Sequence, residues 1–156
     1  METSAVLLEK PERLSLEMVG LKDPSQDEVV VRVLHSGIST GTEKLLWSGA
    51  MPPFPGLGYP LVPGYEAVGE ILECPKGASL KVGDLVFVPG SNGFVDAKGL
   101  FGGSARYLVT SVKRVTKINS QIGEKGVLYA LAATARHALT GPDAKFPDLI
   151  LSLIHI

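Results

Sequence analysis

Residues 64–69 read Gly-Tyr-Glu-Ala-Val-Gly, so a phenol and a carboxyl, Tyr65 and Glu66, stand side by side between two glycines. A phenol both donates and accepts a hydrogen bond, but its ordinary pKa of about 10 must fall before it serves as a base at neutral pH. Upstream, Ser39-Thr40-Gly41-Thr42-Glu43 gathers three hydroxyls and an acid. These groups can move a proton or stabilise developing charge. They are a poor set for zinc, which takes about three N, S or O ligands and, in catalytic sites, keeps one open position. Cys74 is the only cysteine, and the histidines stand apart at His35, His137 and His155. No Gly-x-Gly-x-x-Gly occurs, although the pyrophosphate of a dinucleotide needs that tight turn.

The remaining composition bounds what these groups can serve. The chain has 156 residues, with 45% apolar and 20% charged side chains, which describes a globular domain with a real core. A net charge of −1 without a basic block argues against nucleic acid or an anionic membrane surface as partner. No apolar run reaches the roughly 18 residues that cross a bilayer, and the first residues lack the pattern of a signal peptide. A single cysteine excludes an internal disulfide and points to a reducing compartment, so a cytoplasmic location is expected.

The elements that position the site follow from pattern. Residues 5–9 and 13–19 read as two strands. Residues 27–35, rich in β-branched side chains, read as a stronger one. Residues 39–47 suit a short helix capped by Thr40 or Thr42. Residues 48–63 hold five prolines and three glycines and form a long loop, a kind of segment that is often functional. Strands are expected at 66–74, 84–89 and 104–109. The period then changes: Ile122, Val127, Leu128, Leu131, Ala135 and Leu139 share a helical stripe over 122–139. Gly126 weakens that helix, and Gly141-Pro142 ends it. The fold class is mostly β with one or two helices.

The strand ending in Ser36-Gly37-Ile38, the run 64–69, Val82-Gly83-Asp84-Leu85-Val86 and Gly102-Gly103-Ser104-Ala105-Arg106-Tyr107 occur in an order and spacing that resembles the medium-chain dehydrogenase/reductase superfamily. The similarity is to its N-terminal GroES-like catalytic domain. Residues 35–70, HSGISTGTEKLLWSGAMPPFPGLGYPLVPGYEAVGE, are similar to a branch that oxidises the 3-(1-hydroxyethyl) group of a bacteriochlorophyllide to 3-acetyl in bacteriochlorophyll synthesis. The resemblance implies a GroES-like, partly open β-barrel over residues 1–120. A linking helix and the first strand of a Rossmann domain are implied over residues 121–150. It further implies NAD as hydride acceptor, bound mainly by about 100–200 further residues, so the 156-residue chain alone is expected to be inactive. Homo-oligomerisation of a longer protein is left open. The hexapeptide at 151–156, LSLIHI, is one translation of the end of a transposon sequencing adapter. It is read as a scar, against the alternative of a genuine strand over 149–156.

In the superfamily a zinc ligand precedes the short helix, a second stands at the position of Tyr65 and a third lies near Ala132-Ala133. Here those places hold Ser39 or Thr40, a tyrosine and alanines, so the resemblance implies no zinc. Tyr65 then replaces the metal in function, as donor and acceptor, or only fills its volume. Thr42 falls on the family's proton-relay hydroxyl, with Glu43 as the adjacent acid, or else Thr42 caps the helix. Glu66 acts in catalysis or structures the site through an ion pair. For a flat tetrapyrrole, Trp47, Phe54 and Tyr59, beside Met51 and Leu57, offer an apolar wall stiffened by prolines, or else the loop packs its own aromatics inward. His35 reaches the pocket from a strand end or is structural. Arg136 and His137 meet the cofactor phosphates or a substrate propionate, or lie on a solvated face. Two other functions stay open: a zinc-free quinone or enone reductase preferring NADPH, and a free-standing GroES-like binding module without activity.

Overall fold

The computed structural model describes residues 1–99 and 101–140. Strands β1 (Glu2–Lys10) and β2 (Arg13–Gly20) form an antiparallel ribbon. Strands β3 (Glu28–Ser36), β4 (Ala67–Glu73), β5 (Leu85–Val88), β6 (Tyr107–Ser111) and β7 (Thr116–Lys117) form a second sheet in the order β6-β3-β4-β5-β7. Helix α1 spans Thr42–Ser48; a 3₁₀ segment at Gly123–Leu128 leads into helix α2, Tyr129–Thr140. The fold is mostly β, as expected, but no hydrogen-bonded ring of strands closes among the described residues. Single bridges such as Ala5 to Ala105 and Leu8 to Leu61 join the ribbon to the rest.

Strand β3 lies between β4 and β6 and carries Val29-Val30-Val31, all essentially inaccessible. A continuous apolar run of this kind marks a strand covered on both faces. It packs with Ile71, Val86, Val88, Leu108 and Val109 in the main core. Gly69 of β4 permits the closest approach of the two central strands. A Cβ there would stand 2.4 Å from the Arg32 carbonyl oxygen and 2.6 Å from a Val31 methyl group. The register slips between Val33 and His35, and this bulge leaves Leu34 and His35 exposed at the end of β3.

Several boundaries differ from those read in the sequence. Neither Thr40 nor Thr42 caps α1. The cap position is Gly41, without a side-chain bond, and the Thr42 N–H instead reaches Ser39 Oγ at 3.4 Å. Strand β6 begins at Tyr107 rather than at 104 because residues 104–106 bond elsewhere: Ser104 N–H to Pro63, and Arg106 N–H to Ser4. Residues 122–139 are not one helix. Gly126 sits where a Cβ would stand 2.6 Å from Ile118 Cδ1 and 2.8 Å from Val68 Cγ2, so the 3₁₀ turn is pressed onto β4. Ile122, Leu128 and Leu131 of the apolar stripe are exposed, while Val127 packs toward Val68, Phe87 and Ile118. The expected stop at 141–142, the Rossmann strand at 148–150 and the scar at 151–156 lie outside the described residues. No described helix is long and apolar enough to cross a membrane.

Gly69→Ala is expected to destabilise the protein by about 1–3 kcal/mol, the usual cost of forcing extra volume into a packed core. Urea unfolding checks this: the midpoint falls, with little change for Gly58→Ala, where a Cβ meets only the Lys98 side chain, at 3.7 Å.

Candidate functional site

Beyond its pairing with 67–69, the end of β3 meets the run 64–66 where Gly37 N–H donates to the Glu66 carbonyl at 2.6 Å. A side chain has no room there: a Cβ at position 37 would stand 2.9 Å from Glu66 Cβ and press on its carboxyl. Gly64 has φ +97° and its carbonyl accepts from Gly103 N–H at 2.8 Å, so the residues before Glu66 are clamped against 103–104. A Cβ at Gly64 would also press on Ser104 Oγ, at 2.7 Å. These contacts hold the Glu66 side chain inside, with 5% exposure.

Glu66 Oε1 has no hydrogen-bond partner, and both carboxylate oxygens of Glu43 are likewise buried and unpartnered. Burial is the largest influence on each and pushes both carboxyls above the ordinary range. Around Glu43, backbone N–H groups offset part of that push without bonding to it, and the Glu66 charge adds to it. The Tyr65 side chain offsets part of the push on Glu66. Among the described residues no ion pair reaches either residue, the one considered for Glu66 included. An acid with a raised pKa in the lining of a cleft, with a second buried beside it, is a stronger proton acceptor than an ordinary carboxylate.

Glu43 and Thr40 line a cavity of about 410 Å³. Its apolar walls come from Val6 and Leu14 of the ribbon, Ile38 and Trp47. A neighbouring cavity of about 370 Å³ shares Val6, Ile38 and Ser104 with the first. The ribbon presents this wall because cross-strand pairs Leu8–Leu14 and Val6–Leu16 put their side chains on one face.

The sequence-predicted residues divide. Trp47 is on the cavity wall and Glu66 is buried behind the Gly37 crossing. Tyr65 is half-buried and meets the Phe101 ring edge to face, with centroids 5.4 Å apart. Thr42 is half-buried, on the first turn of α1, and does not line the cavity. The Tyr59 hydroxyl donates to the Leu46 carbonyl, and its ring packs with Met51 and Leu57 against Leu8, Leu46 and Leu61. Phe54 is 36% exposed and outside both cavities. His35 lies exposed opposite Val68, and Arg136 and His137 are exposed on α2. The sequence reading missed Leu14, Leu16 and Ile38 as walls. The alternation Leu14, Leu16, Met18 carried the signal: these three residues of β2 are 57–72% exposed.

The donor set does not suit zinc. It offers carboxylates, hydroxyls and a phenol, and no three His, Cys, Asp or Glu side chains come together among the described residues. The described residues include no glycine-rich turn opening a helix, so none of them is assigned to the pyrophosphate of NAD.

Residues 25–120 match the family model of the alcohol dehydrogenase GroES-like domain. The chain is 52% identical over 152 residues to the 2-desacetyl-2-hydroxyethyl bacteriochlorophyllide A dehydrogenase of Rhodobacter capsulatus, covering 97% of this chain and 48% of that protein. The protein of the same name from Cereibacter sphaeroides is also 52% identical, with 97% and 49% covered. The chain thus spans about half the length of these curated relatives. Among solved structures, an Escherichia coli alcohol dehydrogenase in complex with NADH superimposes with TM-score 0.71 at 26% identity, over 88% of this chain and 45% of that one.

The raised carboxyls carry a stability prediction. Between the ordinary carboxylate pKa and the raised folded value, the folded state binds more protons than the unfolded state. Stability therefore falls as pH rises through that window. Glu43→Gln removes its share, so its thermal midpoint should exceed wild type near pH ~8 and converge with it near pH ~4. Melting curves at the two pH values check this.

Proposed function

We propose a function from one premise: the chain belongs to the alcohol dehydrogenase GroES-like domain family. It is the substrate-side half of an NAD-dependent secondary-alcohol dehydrogenase that oxidises the 1-hydroxyethyl group of a bacteriochlorophyllide to an acetyl group. In the whole protein, residues 1–120 form the GroES-like, partly open barrel, and residues 121–150 supply the linking helix and the first strand of a Rossmann domain. The reading rests on 52% identity over 97% of the chain to a protein named for that substrate. The apolar double cavity beside buried acids supports it.

Bound NAD supplies the hydride acceptor, and the residues of this chain do the rest. The cavity walls exclude water around the hydroxyethyl group. Glu43, which lines the cavity with both carboxylate oxygens buried behind the wall, accepts the hydroxyl proton through a group of the lining as the carbinol carbon is oxidised. Its raised pKa makes its carboxylate a stronger base than an ordinary one. Glu66 tunes Glu43 by charge, and Tyr65, packed on Phe101, donates toward Glu66. No zinc takes part.

The test is the whole protein with hydroxyethyl bacteriochlorophyllide and NAD, following NADH and the acetyl product. Glu43→Gln is expected to lower kcat roughly 100-fold or more, within the range for a lost general base. Tyr65→Phe should lower kcat if the phenol acts and leave it unchanged if it only fills space. Stoichiometric zinc in active protein would sink the metal-free mechanism. NADPH-dependent reduction of enones, with no alcohol oxidation, would favour a reductase instead.

A further inference from the structure

The double cavity carries charge as well as apolar surface, and the charge is placed unevenly. In the first compartment Glu43 and Lys44 stand together. In the second, Arg106 is the single charged residue of the lining, among Leu16, Val33, Leu34 and Ile38. Leu16, Leu34 and Ile38 are 72%, 47% and 79% exposed, a cluster of bare apolar side chains of the kind that marks a binding surface. Arg106 is fixed at its backbone on both sides, its N–H on the Ser4 carbonyl at 2.8 Å and its carbonyl on Val33 N–H at 2.9 Å. Its guanidinium lies over the Tyr107 ring, 5.6 Å from the centroid, and no carboxylate pairs with it among the described residues. An exposed cation on a fixed backbone in one apolar compartment, with an acid in the lining of the adjoining one, matches one kind of molecule. That molecule is broad, flat and apolar, with an alcohol at one edge and a free carboxylate at another.

We propose that the double cavity seats the pigment macrocycle and that Arg106 pairs with its free propionate carboxylate, selecting the unesterified pigment. This rests on the function proposed above, whose substrate is by name a chlorophyllide, an acid rather than an ester. Arginine suits the role because its planar fork binds a carboxylate through two parallel hydrogen bonds. Arg106 is thus a positioning residue: it sets where the macrocycle sits, and it touches no reacting atom.

The experiment measures binding and turnover separately, in the whole protein, with the free acid and its methyl ester. Binding is read from the pigment's absorbance and from quenching of tryptophan fluorescence. The wild type should bind the acid on the order of tenfold or more tighter than the ester, as a charged hydrogen-bonded pair implies. Arg106→Gln should erase that preference by raising KM for the acid alone, with kcat kept, and Arg106→Lys should restore part of it. Leu16→Ser should weaken acid and ester equally. Equal binding of acid and ester by wild type, or an unchanged preference in Arg106→Gln, overturns the proposal even if the alcohol is oxidised. Acid-selective, Arg106-dependent binding without oxidation would uphold this site and sink the dehydrogenase reading instead. Absence of pigment binding would overturn both.

Discussion

The site depends on one backbone crossing. Where Gly37 meets Glu66, the chains approach so closely that position 37 has no room for a side chain. That approach seals the Glu66 carboxyl away from water without giving Oε1 a partner. Leaving a buried carboxylate unpaired is costly, and proteins answer by raising its pKa until the neutral form competes. Once Glu66 is held there, its charge also raises the neighbouring Glu43. The chemistry of the cleft is therefore a consequence of how tightly two segments of backbone are pressed together.

The rest of the fold serves to hold that crossing. Gly69 lets β4 lie hard against β3, so the segment entering β4 is aimed at the end of β3. Residues 103–104 clamp Pro63 and Gly64 from the other side. Helix α1 is short, yet it is anchored by fully buried Leu46 and stopped by Gly49 in the left-handed conformation. That anchor sets Glu43, on the first turn, against the cavity. The β1–β2 ribbon then roofs the cavity with leucines that find no cover in the domain itself.

Much of this was legible in the sequence, and the failures have physical causes. The run 27–35 declared its strand because three successive valines suit a doubly covered strand, and the structure places β3 at Glu28–Ser36. The frame 64–69 and Gly37 gave the family, and both glycines of the frame are required by contact. The start of β6 was misplaced because residues 104–106 alternate like a strand while bonding to β1 and to Pro63. In the proline-rich loop, Tyr59, Met51 and Leu57 turn inward while Phe54 stays 36% exposed. A segment without periodicity gives no signal of which aromatics will do so. Glu43 was noticed only as the neighbour of Thr42. Whether an acid on a seven-residue helix meets water or protein is decided by a segment some twenty residues further along the chain, and local pattern does not contain that information.

Glu43 and Glu66 hold unpartnered carboxyl oxygens out of water, and the charge of Glu66 acts on Glu43. Carbon-13 NMR titration of glutamate side-chain carboxyls in the folded protein measures it directly. Both should titrate above the ordinary glutamate range, and Glu66→Gln should bring the Glu43 transition down by removing the neighbouring charge. Titration of either carboxyl at or below the ordinary range, or a Glu43 transition indifferent to Glu66→Gln, would contradict it.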